Sequence, residues 1–419
     1  MIKETFRKYG WLVIGLNMMA CLSPSVYGQT NTNLNNLVDW LTSNVALHPS
    51  VLAAQSAVEA SQYQRVAAAK ALYNPELELS TESVGKLNTT TLGISQTMDW
   101  GDSRAANTAL ARAQLRANTF QLALTEQNIR VELLSALAQY HTHSALTVLA
   151  KQRLDLMRRF VHLTEQRFTY GDLGQVDVDF ANLSYAQARF TQANHQADFL
   201  RSRYQLKSLT QDVESSWPLM PVDLPKPTQQ IVDAERQVQQ LPAMRLALAS
   251  IKVAQAGIKK AVALAVVNPT LSLQAGKEGS SDVVGLSFSM PLQLRNNYQS
   301  EVDVENAQMI QSERDAKVVY LELIAGYKVA LGSYRLSHEL WLFWQQFGST
   351  TLSEQMSLLE KLWNAGELST SDYLTQLTEA LKTKEAVIVQ RGQLWHDWVQ
   401  WQRANGNIEP SFKKAGETE

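Results

Sequence analysis

Few side chains in this sequence are arranged to do chemistry. Asp177 and Asp372 each lie six residues after a glycine, Gly171 and Gly366 respectively. Carboxylates in that place start helices, because they accept from free backbone N–H groups and oppose the helix dipole. Ser369, three residues before Asp372, completes a capping-box-like start. His141 and His143, two apart on a helix, point to different faces and make a poor metal pair. Seven scattered histidines and no Cys/His cluster argue against a built-in metal site. Trp395, Trp398 and Trp401 fall near His338, Trp341 and Trp344 if the last two helices pair about Gly366. That is packing between helices rather than a ligand box. No phosphate loop, nucleophile elbow or zinc signature is present. The chain therefore reads as no enzyme and calls for no cofactor, and any energy source must come from a partner.

The element that must organise these residues is the stretch Asp102 to Tyr170, which contains no glycine and no proline. Its Ala, Leu, Gln, Glu and Arg lose little on entering a helix, and at 1.5 Å per residue it spans roughly 100 Å. An ordinary core cannot hold such a helix. Its apolar residues fall in two series of seven-residue spacing: Leu115, Leu122, Ile129, Ala136, and Leu110, Ala117, Leu124, Val131, Ala138, Ala145. The series lie about 200° apart around the axis. The helix thus needs neighbours on both flanks, as a stave does in the wall of a tube. A two-stranded coiled coil has only one seam.

Charged residues make up 19% of the chain and the formal net charge is −2, so nothing points to nucleic acid. The N-terminus reads as a secretory signal, residues 1–28. Lys3, Arg7 and Lys8 form the positive region and Trp11 to Leu22 the apolar one, with cleavage after Val26-Tyr27-Gly28. Losing those three bases and Glu4 takes the net charge from −2 to −4. A competing reading takes Met18-Met19-Ala20-Cys21 as a lipobox that would acylate Cys21, the one cysteine. No later segment is apolar enough for a transmembrane helix, so a membrane-spanning part would have to be β-strand.

The chain reads as two structural repeats, 29–214 and 229–405, joined by a linker at 215–228 that holds Pro218, Pro221, Pro225 and Pro227. In the first, a short helix (Asn33 to Leu47) and a Pro49-led helix end at Asn74-Pro75. A hairpin (76–100), a long helix (102–170), a Gly171 turn and a return helix (175–211) follow. In the second, Pro242 opens a helix that Asn268-Pro269 ends. A hairpin (270–294), a long helix (297–364), Gly366 and a return helix (369–405) follow, then a polar tail (406–419). Gly326, Gly332 and Gly348 within 297–364 each cost about 1 kcal/mol relative to alanine, which weakens the case for an unbroken helix there. On the strands Leu92, Ile94, Leu286, Phe288 and Met290 share an apolar face opposite Gly, Ser and Thr. That division suits lipid on one side and a water-filled lumen on the other; the inner face of a sandwich is the plainer alternative. Trp100 fits an interfacial aromatic or a core tryptophan. Four strands cannot close a barrel alone. Three chains would supply twelve.

The doubled set resembles the TolC-like family of outer-membrane efflux proteins. It is carried by the two Asn-Pro strand starts, by Ile94 to Gly101, by Gly285 to Leu292, by Arg167 to Leu173 and by Trp363 to Leu368. The middle pair looks closest to the CzcC-like cation-efflux branch, with Thr97 and Asp102 departing from the family's pattern. The resemblance implies a mainly α fold with a small β part. A homotrimer would form a twelve-stranded barrel in the outer membrane, continued by an α-helical tunnel in the periplasm. It implies partners as well: outer-membrane lipid, a periplasmic adaptor protein and an inner-membrane pump of the RND type, with the chain as a passive exit duct for metal cations or drugs. Asp177 and Asp372 would then narrow the periplasmic aperture, with Asp172, Asp179 and Glu367 near the same mouth and Thr375 where the family has its next acid. Gly171, Leu173, Gly366 and Leu368 would form adaptor-docking tips; plain helix–helix turns are the other reading. Alternative functions are an exit duct for type I protein secretion and a periplasmic coiled-coil protein that makes no pore.

Overall fold

The computed structural model describes residues 26–210, 217–227 and 234–406. The basic and apolar regions of the N-terminal signal, the lipobox with Cys21, and the tail beyond Gly406 lie outside the described residues. The order is α1 (Val26–Leu47), α2 (Pro49–Ala68), β1 (Glu76–Val84), β2 (Leu87–Thr97), α3 (Ser103–Thr169) and α4 (Gln175–Leu209). It then repeats as α5 (Ala234–Gln240), α6 (Pro242–Leu264), β3 (Thr270–Glu278), β4 (Ser281–Ser289), α7 (Gln299–Phe343), α8 (Ser349–Asn364) and α9 (Thr370–Asn405). Pro49 and Pro242 open α2 and α6 from the first helical turn, where a missing N–H costs nothing.

The long helix expected over 297–364, whose glycines weakened the case for an unbroken run, is interrupted at one of them, Gly348. It starts at Gln299, and a π-helical turn, Trp344–Gly348, separates α7 from α8. The cause is local. A Cβ built on Gly348 would meet the Trp344 ring at 2.1 Å, so that ring lies directly over the glycine and one extra residue is accommodated there. Gly326 and Gly332 have nothing within 4 Å of a Cβ and sit in regular helix. The helix of the first repeat, α3, runs unbroken for 67 residues.

The strands form one antiparallel sheet in the order β1-β2-β3-β4. Each hairpin has a two-residue loop whose first residue is a glycine at positive φ, Gly85 (+66°) and Gly279 (+59°). Only glycine takes that conformation without strain, and it matches the strand twist. The strands end at Thr97 and Ser289, short of 100 and 294. Both strand-to-helix junctions use a left-handed residue, Asp102 (φ 52°) and Tyr298 (φ 58°). Asp99 caps α3, accepting from the N–H groups of Ser103 (2.8 Å) and Arg104 (2.9 Å).

The long helices pack side by side. Near the sheet, α3 packs between α2 and α6, and α6 packs on α7. Farther away, α3 packs between α4 and α9, and α9 packs on α7 and α8. Two cores hold the helices together. One joins α1 (Leu37, Leu41), the middle of α3 (Ile129, Val131, Leu134, Ala138), Tyr334 of α7 and Trp398 of α9. The other, near the turns at Gly171 and Gly366, joins Met157 and Phe160 of α3 to Trp363 of α8 and Leu377 of α9. Both seven-residue series on α3 therefore reach packed neighbours.

The proline-rich segment has no helix or strand over 217–227, yet it is no free spacer. Trp217 and Met220 are buried. Three of its carbonyls accept from the helices: Pro218 from His141 (2.8 Å, the imidazole acting as donor), Pro221 from the Trp395 indole N–H (3.0 Å), and Pro225 from the Tyr334 hydroxyl.

Candidate functional site

The sheet has two chemically distinct faces. One carries the cross-strand rows Leu77–Ile94–Leu273–Leu286 and Leu79–Leu92–Ala275–Val284, with Leu271 beside Phe288. Leu92, Ile94, Leu286 and Phe288 are exposed in the single chain, as is Met290 just past β4. The row above them is polar: Thr81, Thr90, Lys277 and Asp282. The opposite face carries Ser95, Gly93 and Thr91 on β2 and Ser272, Gln274 and Gly276 on β3. Ser95, Gly93 and Thr91 are buried, whereas Leu92 and Ile94 between them on the other face are exposed. The four carboxylates on the face of Ser95 are Glu76, Glu78, Glu82 and Glu278, and no lysine or arginine of the strands shares it. Trp100 stands exposed at the end of β2, its backbone N–H donating to Asn268 Oδ1 (3.0 Å).

At the far end of the helices the two repeats make the same turn. Gly171 (φ +81°) and Gly366 (φ +76°) end α3 and α8. The next residues close the turns, Asp172 N–H to Arg167 O (2.9 Å) and Glu367 N–H to Leu362 O (3.0 Å). This is a Schellman closure, which a side chain at the glycine would strain. Leu173 and Leu368 are half-buried. Asp177 accepts from the Gly174 N–H (3.1 Å), and Asp372 accepts from the Ser369 hydroxyl (2.6 Å), whose oxygen accepts from the Asp372 N–H (3.1 Å). Asp177 thus accepts the backbone N–H that precedes α4, and Asp372 holds the Ser369 hydroxyl that caps α9, while both lie beside the turns. Asp179 accepts from Gln175 Nε2 (2.9 Å), and Asp172 and Glu367 are exposed. Just above, Phe160, Trp363 and Tyr373 form an aromatic cluster. Trp363 and Tyr373 stack 4.8 Å apart, and the Arg167 guanidinium sits 4.8 Å from the Trp363 ring.

The histidines have separate surroundings. His141 faces the proline segment and His143 faces α4; burial holds both below the ordinary imidazole range, and Asp198 pulls His143 partly back. His195 on α4 reaches Glu385 on α9 (3.2 Å), a link between return helices that no sequence signal announced. Trp395, Trp398 and Trp401 are buried packing residues, with Trp401 edge-on to Tyr327 and Arg391 held between Trp341 and Trp395. Among the described residues no group of His, Cys, Asp and Glu is placed to hold a metal ion, and no helix is long and apolar enough to cross a membrane.

Residues 40–210, from α1 to the end of α4, match the outer membrane efflux protein family. Over that stretch, less than half of the chain, the sequence is similar to that family. Similar solved structures span nearly its full length. The Campylobacter jejuni CmeC outer membrane channel has a TM-score of 0.75 at 11% identity, over 99% of this chain and 98% of that one. VceC, an outer membrane protein of Vibrio cholerae, gives 0.70 at 15%, over 90% and 96%. The open state of the Neisseria gonorrhoeae MtrE outer membrane channel gives 0.71 at 13%, over 89% of each. At these identities the likeness shows the fold, and that fold is TolC-like. No curated protein sequence matches the chain.

Proposed function

We propose that the chain is the outer-membrane component of a tripartite efflux system: a passive, trimeric exit duct reaching into the periplasm. One observation carries the reading. The sheet has one face with rows of Leu, Ile and Phe, an opposite face that is mostly Glu, Ser, Thr and Gly with Val84, Leu87 and Val283 toward the hairpin ends, and two free edges, β1 and β4. In hydrocarbon a free edge leaves N–H and C=O groups without partners, at several kcal/mol each, so only closure is stable. Four strands are too few for a barrel. Threefold repetition gives twelve, with Leu92, Ile94, Leu286, Phe288 and Met290 toward lipid and the Glu, Ser and Thr rows toward water.

The same symmetry brings three copies of each turn together at the other end of the tunnel. Asp177 and Asp372 then ring the periplasmic aperture while supporting the starts of their helices. Gly171, Leu173, Gly366 and Leu368 become the docking points for a periplasmic adaptor, and an inner-membrane pump of the RND type supplies energy and selects the cargo, metal cations or drugs. The test is planar-bilayer conductance of detergent-purified protein, wild type against Asp372→Ala. A small conductance that rises in the variant supports a gate at this ring. Equal conductance keeps the channel and leaves Asp372 a support of the α9 cap. No conductance in either refutes the duct.

A further inference from the structure

This inference rests on the trimer reading above. The packed helices have two outer flanks. In the half bearing the Gly171 and Gly366 turns, α4 forms one flank and α7–α8 the other, because α3 and α9 lie between them. The sheet edges follow the same order, β1 joining α2 and β4 joining α7. Each flank carries an uncovered apolar stripe. On α4 it is Val176, Leu183 and Phe190, seven residues apart and 80%, 70% and 72% exposed. On α7 it is Leu336 and Phe343, again seven apart, continued past Phe343 by Phe347, at 71%, 59% and 56%. Seven-residue apolar spacing is the signature of a helix seam. On α3 all such positions but Ala145 are buried or half-buried within the chain; these are not.

The two stripes match in direction and height. Helix α4 runs away from its turn and α7–α8 runs toward its own, so across a flank they are antiparallel. Phe190 lies 19 residues beyond Gly171, and Phe347 lies 19 residues before Gly366. Phe190 is 15 residues past the start of α4, about 22 Å along it, and Phe347 is 17 residues before the end of α8, about 26 Å, so the two stand within about one helical turn of the same height. The π-helical turn sits at that height. It turns Trp344 inward over Gly348 and leaves Phe343 and Phe347 ring to ring on the outside, 5.3 Å apart. We infer that the seam between copies is an antiparallel pairing of α4 with the next copy's α7–α8, and that Phe190 seats against the Phe343–Phe347 pair on the π-helical turn. The break in the second long helix is then an interface device, which explains why α3, on an inner position, has none.

The test pairs Phe190→Cys with Phe347→Cys and treats the detergent-solubilised double variant with a short bismaleimide. Light scattering reports the mass in parallel, and each single variant serves as control. The expected result is a covalent ladder up to three chains in the double variant and none in either single one. A trimeric mass without a ladder overturns the seam and leaves the trimer. A monomeric mass overturns both. These side chains are exposed in the single chain, so circular dichroism should show each variant folded.

Discussion

At the residue scale, titration and capping make the sharpest expectations. Burial holds His141, His143 and His338 below the ordinary imidazole value of 6.5. A group whose folded pKa is depressed stays neutral in the fold while the unfolded chain already binds a proton. Stability is therefore fully present above 6.5 and falls as pH drops from there toward the folded values. Thermal melts between pH 7 and 5 should show this decline, and His141→Gln should shrink it; an unchanged slope would mean His141 does not titrate in that range. At the turns, Ser369→Ala removes the acceptor for the Asp372 N–H and should cost about 1 kcal/mol. The acids could be placed beside their glycines from the sequence, because a short loop fixes both. The His195–Glu385 link could not, since its members are 190 residues apart and neither belongs to a pattern.

At the element scale, the three glycines of the second long helix looked alike in sequence and differ in space. Gly326→Ala and Gly332→Ala should each stabilise by about 0.5–1 kcal/mol, since a methyl there meets nothing. Gly348→Ala should instead destabilise by about 1–3 kcal/mol, because it must displace the Trp344 ring. Denaturant unfolding of the three variants checks the difference in sign. The proline segment makes a parallel case. Four prolines announce an irregular chain, but which carbonyls dock is decided by partners far away, and a carbonyl acceptor leaves no mark in sequence. Trp395→Phe, which removes the donor to Pro221, should cost about 1 kcal/mol. The strands were the most legible elements, since alternation of Leu and Ile with Gly, Ser and Thr sets the face of every residue.

At the scale of the whole molecule, the duplication was readable because chain punctuation repeats. Asn74-Pro75 and Asn268-Pro269 are 194 apart, and Gly171 and Gly366 are 195 apart. What the sequence offers toward assembly is a deficit that copies of the chain would fill: four strands with an apolar face, and a long helix with neighbours on both flanks. The stripe on α4 has no distinct sequence mark: Val176, Leu183 and Phe190 resemble any helix face and become informative only because the folded chain leaves them uncovered. Adding a charge to the exposed apolar face of the sheet tests the deficit directly. Leu286→Arg should reduce the trimer recovered from membranes, by about 2–4 kcal/mol of insertion energy if the residue lies near mid-bilayer; a variant that assembles normally would remove that face from lipid. The measurement that decides the account is the mass and detergent requirement of the purified full-length chain. The account predicts a particle of three chains that needs detergent to stay dispersed. A monodisperse single chain, stable in plain buffer, would contradict it.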